Sequence, residues 1–142
     1  MRALLDVNVL IALLDAEHSL HSRAMTWYAR HARSGWASCP LTQNGCIRIM
    51  SHPGYPNALP VQSVVERLGE AVSSPVHEFW SDDISLLDTR LVDAAKIHGP
   101  RQLTDAYLLA LAMHHGGVFV TFDRAVPVDA ARGVARDRFL VL

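Results

Sequence analysis

The sequence predicts an α/β protein, a three-layer α/β/α sandwich around a mainly parallel sheet of four to five strands. Short apolar runs of strand type alternate with helical patterns along the whole chain, which is typical of parallel sheets. Two of these runs, residues 3–5 and 118–122, are each followed closely by an aspartate. The length of 142 residues suits a single domain, residues 1–142, with a sizeable core.

The N-terminal third predicts two strands and two helices. Residues 3–5 are apolar without alternation, as in a strand buried on both faces. Helical spacing follows over residues 8–14 and again over residues 18–32, where Ser34 and Gly35 end the second helix. Residues 36–39 form the second predicted strand.

Two further helices and a loop follow. Pro40 opens the third helix, because proline is tolerated in a first helical turn, and residues 41–50 continue it. The proline- and glycine-rich segment 52–60 predicts a loop. Residues 61–72 have an apolar face at helical spacing and form the fourth predicted helix.

The C-terminal half predicts three more strands, at residues 76–80, 118–122 and 139–142. Helical spacing between the first two of them predicts helices over residues 88–98 and 105–115. Thr104 is the predicted N-cap of the second of these helices. Gly99-Pro100 ends the first of these helices, and Gly116-Gly117 ends the second.

The composition limits the classes of function. Half of the residues are hydrophobic and 19% are charged, so the chain is globular rather than disordered. The net charge of −1 argues against binding nucleic acid by bulk positive charge and leaves a local basic patch, such as one at Arg132 and Arg136, open. No apolar run or secretory signal points to a membrane, so a cytoplasmic location is expected. Cys39 and Cys46 are expected to be buried thiols.

Three aspartates are the candidate site. Asp6 and Asp123 follow predicted strands, and Asp105 lies in the first turn of a predicted helix. Because the carboxyl ends of parallel strands meet at one edge of a sheet, Asp6 and Asp123 can converge there. Each aspartate alone could also cap a helix or complement its dipole. Gathered carboxylates repel one another unless a cation compensates them, so the set predicts a hard divalent ion such as Mg²⁺.

The order of these motifs resembles a known family. Residues 4–14 resemble the first motif of PIN-domain ribonucleases, and more narrowly of the VapC toxins of VapBC toxin–antitoxin pairs. Residues 104–108 resemble the third motif of that family, and residues 120–124 the fourth. The resemblance implies a PIN-like fold and a metal-dependent endoribonuclease that hydrolyses RNA phosphodiester bonds. It also implies a VapB-type antitoxin as partner, and a homodimer.

The resemblance assigns roles to individual residues. Asp6, Asp105 and Asp123 would hold Mg²⁺ or Mn²⁺, while Asn8 and Thr121 would orient ligands or waters around the ion, although both could equally serve as structural caps. The family has a glutamate in the acidic cluster where this chain has Gln43. A neutral amide cannot act as a base, so the expected consequence is weaker metal binding or slower turnover. Gln43 is either native or an introduced inactivating change, and the sequence leaves both open.

Two other functions compete with a nuclease. A PIN domain silenced by Gln43 could still bind an antitoxin or RNA. A phosphatase or receiver domain also places aspartates at strand tips, but it needs a lysine in the site, and the only lysine, Lys96, lies in a predicted helix. Asp82 and Asp83 are interpreted as a turn and helix cap. His114 and His115 are interpreted as a helix end rather than a metal site, because adjacent positions do not share a helix face.

Overall fold

A computed structural model describes all residues from Met1 to Leu142. Its centre is one sheet of five parallel strands in the order β3-β2-β1-β4-β5. The strands are β1 (Ala3–Leu5), β2 (Trp36–Ser38), β3 (His77–Phe79), β4 (Val118–Thr121) and β5 (Phe139–Val141). The predicted α/β fold is therefore confirmed, with all five strands parallel.

Five α-helices cover the two faces of the sheet. They are α1 (Val7–Leu14), α2 (His21–His31), α3 (Pro40–Ser51), α4 (Val61–Val72) and α5 (Leu103–His114). Successive side chains of a strand point to opposite faces, and β1 shows this directly. Ala3 and Leu5 pack with apolar residues of α1, α3 and α4, while Leu4 packs with those of α5. These two buried clusters on either side of the sheet make the three layers.

The sheet register places the candidate residues. Leu5 of β1 is paired with Val120 of β4, so Asp6 and Thr121 follow side by side at the C-terminal edge of the sheet. The chain then turns directly into α1, whose first amide is capped by the Asp6 side chain. Burial of Asp6 at this junction follows from its position between the two central strands and α1.

The predicted helix over residues 88–98 is wrong. This segment contains turns and one short 3₁₀ turn, Ala94–Lys96, whose start is capped by the side chain of Asp93. The backbone amide of Asp93 donates to the carbonyl of Ala130, and that of Arg132 donates to the carbonyl of Leu91. Backbone groups that a helix would need are thus used to join two distant parts of the chain.

The predicted N-cap of α5 is also wrong. The helix starts at Leu103, directly after a 3₁₀ turn at Pro100–Gln102, so Thr104 is its second residue and Gln102 occupies the cap position. Asp105 still lies in the first turn. None of the helices combines the length and apolarity needed to cross a bilayer. Cys39 and Cys46 are free and buried, as predicted, and burial raises the pKa values of their thiols to about 11 and about 12.

Candidate active site

Asp6 lies between β1 and α1, where two hydrogen bonds hold its carboxylate. Its Oδ1 accepts a hydrogen bond from the Val7 amide at 2.7 Å, and its Oδ2 accepts one from the Thr121 hydroxyl at 2.6 Å. The residue is only 6% exposed. Burial raises the pKa of the Asp6 carboxyl and the charge of Asp123 adds to this effect, while the two hydrogen bonds oppose it.

Asp123 follows β4 in a tight turn. Its amide donates to the Thr121 hydroxyl oxygen at 3.0 Å, and its Oδ1 accepts from the Ala125 amide at 2.7 Å. The carboxylate is exposed at the rim of the sheet edge. The turn therefore holds the Asp123 carboxylate near enough to Asp6 for its charge to raise the Asp6 pKa, while leaving it open to solvent.

Asp105 approaches the other two aspartates from α5. Burial raises the pKa of its carboxyl to about 6, and the charges of Asp6 and Asp123 contribute, as does the close approach of the Asp123 side chain. The structure thus brings together three side chains that are far apart in sequence. We call Asp6, Asp105 and Asp123 the acidic centre.

The protein itself does not neutralise the acidic centre. None of the ion pairs in the chain includes any of its three carboxylates. Paired carboxylates without a counter-charge are unfavourable unless they bind protons or a cation. An all-oxygen set of this kind suits hard ions such as Mg²⁺ or Mn²⁺. The residues present therefore fit the divalent ion that the resemblance implies.

Thr121 and Asn8 support the acidic centre through one set of hydrogen bonds. The fully buried Thr121 hydroxyl donates to Asp6 and accepts from the Asp123 amide and, at 3.3 Å, from the Asn8 side-chain amide. The Asn8 Oδ1 accepts from the Phe122 amide at 3.3 Å. One hydroxyl thus links two of the three aspartates to each other and to α1.

Replacing Thr121 with valine should lower the free energy of unfolding by about 1–3 kcal/mol, because it leaves a buried carboxylate oxygen and an amide without partners. Urea denaturation in EDTA measures this loss. Thr104→Val is the matched control, since Thr104 is exposed and its hydroxyl makes no hydrogen bond. Equal stability of the two variants would contradict the supporting role of the Thr121 hydroxyl.

Comparison with known proteins agrees with this geometry. Residues 3–128 match the profile of the PIN domain, and this segment contains the whole acidic centre. The chain belongs to the PIN-domain family.

Three ribonucleases of Mycobacterium tuberculosis are similar to this PIN domain. Ribonuclease VapC44 is 47% identical over 142 residues, which cover 100% of both chains. Ribonuclease VapC39 is 37% identical over 135 residues, covering 94% of this chain and 97% of the relative. Ribonuclease VapC38 is 42% identical over 125 residues, covering 87% and 86%. The resemblance to VapC-type PIN domains is therefore confirmed.

Gln43 lies in α3 near the same edge of the sheet, but its side chain is hydrogen-bonded to residues outside the acidic centre. Its side-chain amide donates to the Ser38 hydroxyl at 3.0 Å, and that hydroxyl lies 2.8 Å from Nε2 of His77. Burial lowers the pKa of His77, which favours the neutral ring that can accept the Ser38 proton. The structure thus brings Gln43 to Ser38 and His77, with no hydrogen bond to the acidic centre.

Sequence reasoning missed two groups of polar residues. Lys96, His98 and Arg124 line a cleft of about 360 Å³ that begins one residue beyond Asp123. Asp83, His114 and His115 form a compact cluster at the other end of α5. Both groups join segments that are distant in sequence, so no local pattern could have indicated them.

Arg132 and Arg136, suggested as a local basic patch, have different surroundings in the structure. The Arg132 guanidinium donates to the Thr89 carbonyl at 2.6 Å and pairs weakly with Asp93 at 3.9 Å. Arg136 lies in a separate groove beside Phe139. Arg132 therefore has a structural role in joining the segment after β3 to the segment after β4.

Proposed function

We propose that this PIN domain is a metal-dependent endoribonuclease of the VapC type, acting in the cytoplasm as the toxin of a toxin–antitoxin pair. The observation that carries the proposal is the acidic centre, three converging carboxylates without a basic partner. The names of the similar ribonucleases support RNA as the substrate. Residues 1–142 would act as one domain, and the family resemblance adds homodimer formation to the proposal.

Asp6, Asp105 and Asp123 would hold Mg²⁺ or Mn²⁺. Such an ion polarises a phosphoryl oxygen and offsets the negative charge that develops during phosphodiester hydrolysis. Thr121 and the Val7 amide keep the Asp6 oxygens in place, so that little reorganisation is needed when the ion and the RNA arrive. Asn8 would act as a positioning residue through Thr121.

The cleft beside Asp123 supports RNA binding despite the net charge of −1. We call it the basic cleft: it is lined by Lys96, His98 and Arg124, against one carboxylate, Asp129. Its wall is fixed because Gln102 joins the two segments that form it, donating to the Ala125 carbonyl at 3.2 Å and accepting from the His98 amide at 2.8 Å. Two cations beside a metal site would hold the phosphates next to the one that is cleaved.

The double variant Lys96→Ala/Arg124→Ala should weaken RNA binding and lower its salt dependence. Loss of two contacts to single-stranded RNA reduces the slope of log K against log salt by about 1.4. Fluorescence anisotropy on the Asp105→Asn background measures this without cleavage. Arg23→Ala/Arg30→Ala, two exposed arginines of α2 without ion pairs, is the control, and an equal slope change in both double variants would rule out the basic cleft.

A VapB-type antitoxin would bind on another face. An apolar groove of about 190 Å³ lies between α1, α2 and α4, and Tyr28 and Ala71 line it. Its other lining residues are Leu10, Leu13, Leu14, Met25 and Trp36. Such a groove accepts the apolar side chains of a helical or extended segment. Trp27 and two residues of α4, Val64 and Leu68, pack in the core rather than in this groove. Val61 and Val65 of α4 are exposed to solvent.

A cleavage assay tests the proposed function. The purified chain is incubated with total RNA in Mg²⁺, in Mn²⁺ and in EDTA, and internal cleavage that requires the ion is expected. The alternative is a silent PIN domain, which the bonding of Gln43 to Ser38 favours. Calorimetric titration with Mn²⁺ separates the two, because a silent domain would show neither cleavage nor binding that depends on Asp105.

A further inference from the structure

A cluster of one carboxylate and two imidazoles lies at the C-terminal end of α5. His114 is the last residue of the helix and His115 is its C-cap, while Asp83 comes from the segment after β3. The distance from Asp83 Oδ1 to His115 Nε2 is 3.0 Å, and that from Asp83 Oδ2 to His114 Nε2 is 3.7 Å. One ligand atom from each residue lies within 4.8 Å of the others.

The two histidines can converge because the helix ends between them. Residues adjacent within a helix point to different sides, but His115 has left the helical conformation, with φ −86° and ψ 6°. The two rings meet edge to face at a centroid distance of 5.2 Å, and both Nε2 atoms face Asp83. The interpretation of these histidines as a helix end only is therefore incomplete.

The His115 ring is held in place by a buried tryptophan. It stacks on Trp80 at a centroid distance of 4.5 Å and an interplanar angle of 11°. Trp80 is 3% exposed, and its indole N–H donates to Glu78 at 3.1 Å. Packing on Trp80, which is itself fixed by a hydrogen bond, therefore orients the His115 ring. A preformed metal site needs ligands that are oriented in this way.

We infer that Asp83, His114 and His115 form a second metal site, which binds a borderline-soft ion of the Zn²⁺ class. In a tetrahedral Zn²⁺ site the ligand atoms are about 3.3–3.4 Å apart, from bonds of about 2.0–2.1 Å. The distances of 3.0 and 3.7 Å, each to a different oxygen of the Asp83 carboxylate, lie on either side of that spacing. Two nitrogens and one carboxylate suit Zn²⁺, Co²⁺ or Ni²⁺ and not Mg²⁺, which takes oxygen ligands.

This site is separate from the acidic centre. His115 and Asp105 are ten residues apart along α5, which is about 15 Å at 1.5 Å per residue. An ion bound there would join the segment after β3 to the end of α5. Because the unfolded chain lacks this arrangement, Zn²⁺ would stabilise the folded state and raise the melting temperature.

Calorimetric titration of untagged protein with Zn²⁺, in excess Mg²⁺ to occupy the acidic centre, tests the inference. One equivalent of Zn²⁺ should bind. Asp83→Asn, His114→Gln and His115→Gln should each weaken Zn²⁺ binding by more than about 100-fold, which exceeds the loss of about 10- to 100-fold expected for a residue that only supports a metal ligand. The control is His31→Gln, because His31 also ends a helix and stacks on a tryptophan, Trp27, at 5.2 Å. It should bind Zn²⁺ like the parent chain.

A second readout needs no variant and protects the test against a variant that fails to fold. Co²⁺ bound to the parent chain should give a visible absorption band typical of nitrogen ligands, and Zn²⁺ but not Mg²⁺ should remove it. No Zn²⁺ binding by the parent chain, unchanged binding in the three variants, or displacement of Co²⁺ by Mg²⁺ would overturn the inference. None of these measurements depends on RNA cleavage, so the proposed function is judged separately.

Discussion

Replacing Asp105 with asparagine should reduce metal-dependent RNA cleavage by about 100- to 1000-fold or more, which is the scale for removing one group that stabilises developing charge. The change keeps the size of the side chain and removes one of three charges that hold the ion. Initial rates in saturating Mg²⁺ measure the effect. Asp137→Asn, at an exposed aspartate without a partner, is the control. A cleavage rate equal to that of the parent chain would exclude Asp105 from the acidic centre's function.

The same variant should be more stable than the parent chain when no metal is present. The pKa of Asp105 is raised from 3.8 to about 6, so the folded state binds more protons than the unfolded state between these values. The free energy of unfolding of the metal-free parent therefore falls as pH rises from about 4 to about 6, by on the order of 1–2 kcal/mol after allowance for partial exposure. The Asp105→Asn variant has no charge at this position and avoids the loss.

Urea denaturation in EDTA at pH 4 and at pH 7 measures this difference. Between pH 4 and pH 7, the free energy of unfolding of the parent chain should fall relative to that of Asp105→Asn. Excess Mg²⁺ should remove this difference between the two proteins, because the bound ion compensates the charge of Asp105. An Asp105→Asn variant that is less stable than the parent at pH 7 in EDTA would show that the Asp105 charge does not destabilise the folded state. That outcome would weaken the case for a cation between the three carboxylates.

Replacing Gln43 with glutamate should raise metal affinity or the cleavage rate by about 10- to 100-fold if a carboxylate near this position supports the ion. The rate of cleavage and the calorimetric affinity for Mn²⁺ are compared with those of the parent chain. Unchanged rates would contradict the idea that position 43 limits catalysis. Gln43→Leu is a control, since it should lose the bond to Ser38 without adding charge.

The hydrogen bonds around Gln43 predict a side effect of that change. In the parent chain the amide of Gln43 donates to Ser38, which leaves the Ser38 proton for His77. An ionised carboxylate at position 43 cannot donate, so Ser38 would face two acceptors unless His77 takes up a proton. The pKa of His77 should therefore rise in Gln43→Glu, which its ring resonances in a pH titration would report.

The parts of the fold and of the acidic centre that depend on local patterns are predictable from the sequence. Asp6 and Asp123 follow buried strands, and the parallel arrangement of those strands brings them together. The first helical turn predicted for Asp105 is also correct, although the helix starts before Thr104, because a preceding 3₁₀ turn leads directly into it.

The errors arise where distant segments meet. Residues 88–98 have helical spacing, yet the amide of Asp93 bonds to the carbonyl of Ala130. Asp83 and His115 are 32 positions apart, and Ser38, which accepts the hydrogen bond from Gln43, meets His77 from 39 positions further along the chain. Such pairings depend on tertiary structure, which overrides local propensity and is absent from any short window of sequence.

The position of β1 at the centre of the sheet has a consequence for synthesis of the protein. β1 is synthesised well before one of its two neighbours in the sheet, β4, which begins at Val118. Because contacts between such distant segments form only after both exist, the nascent chain cannot bring Asp6 and Asp123 together before β4 has been made. Until then the polypeptide would lack a complete acidic centre.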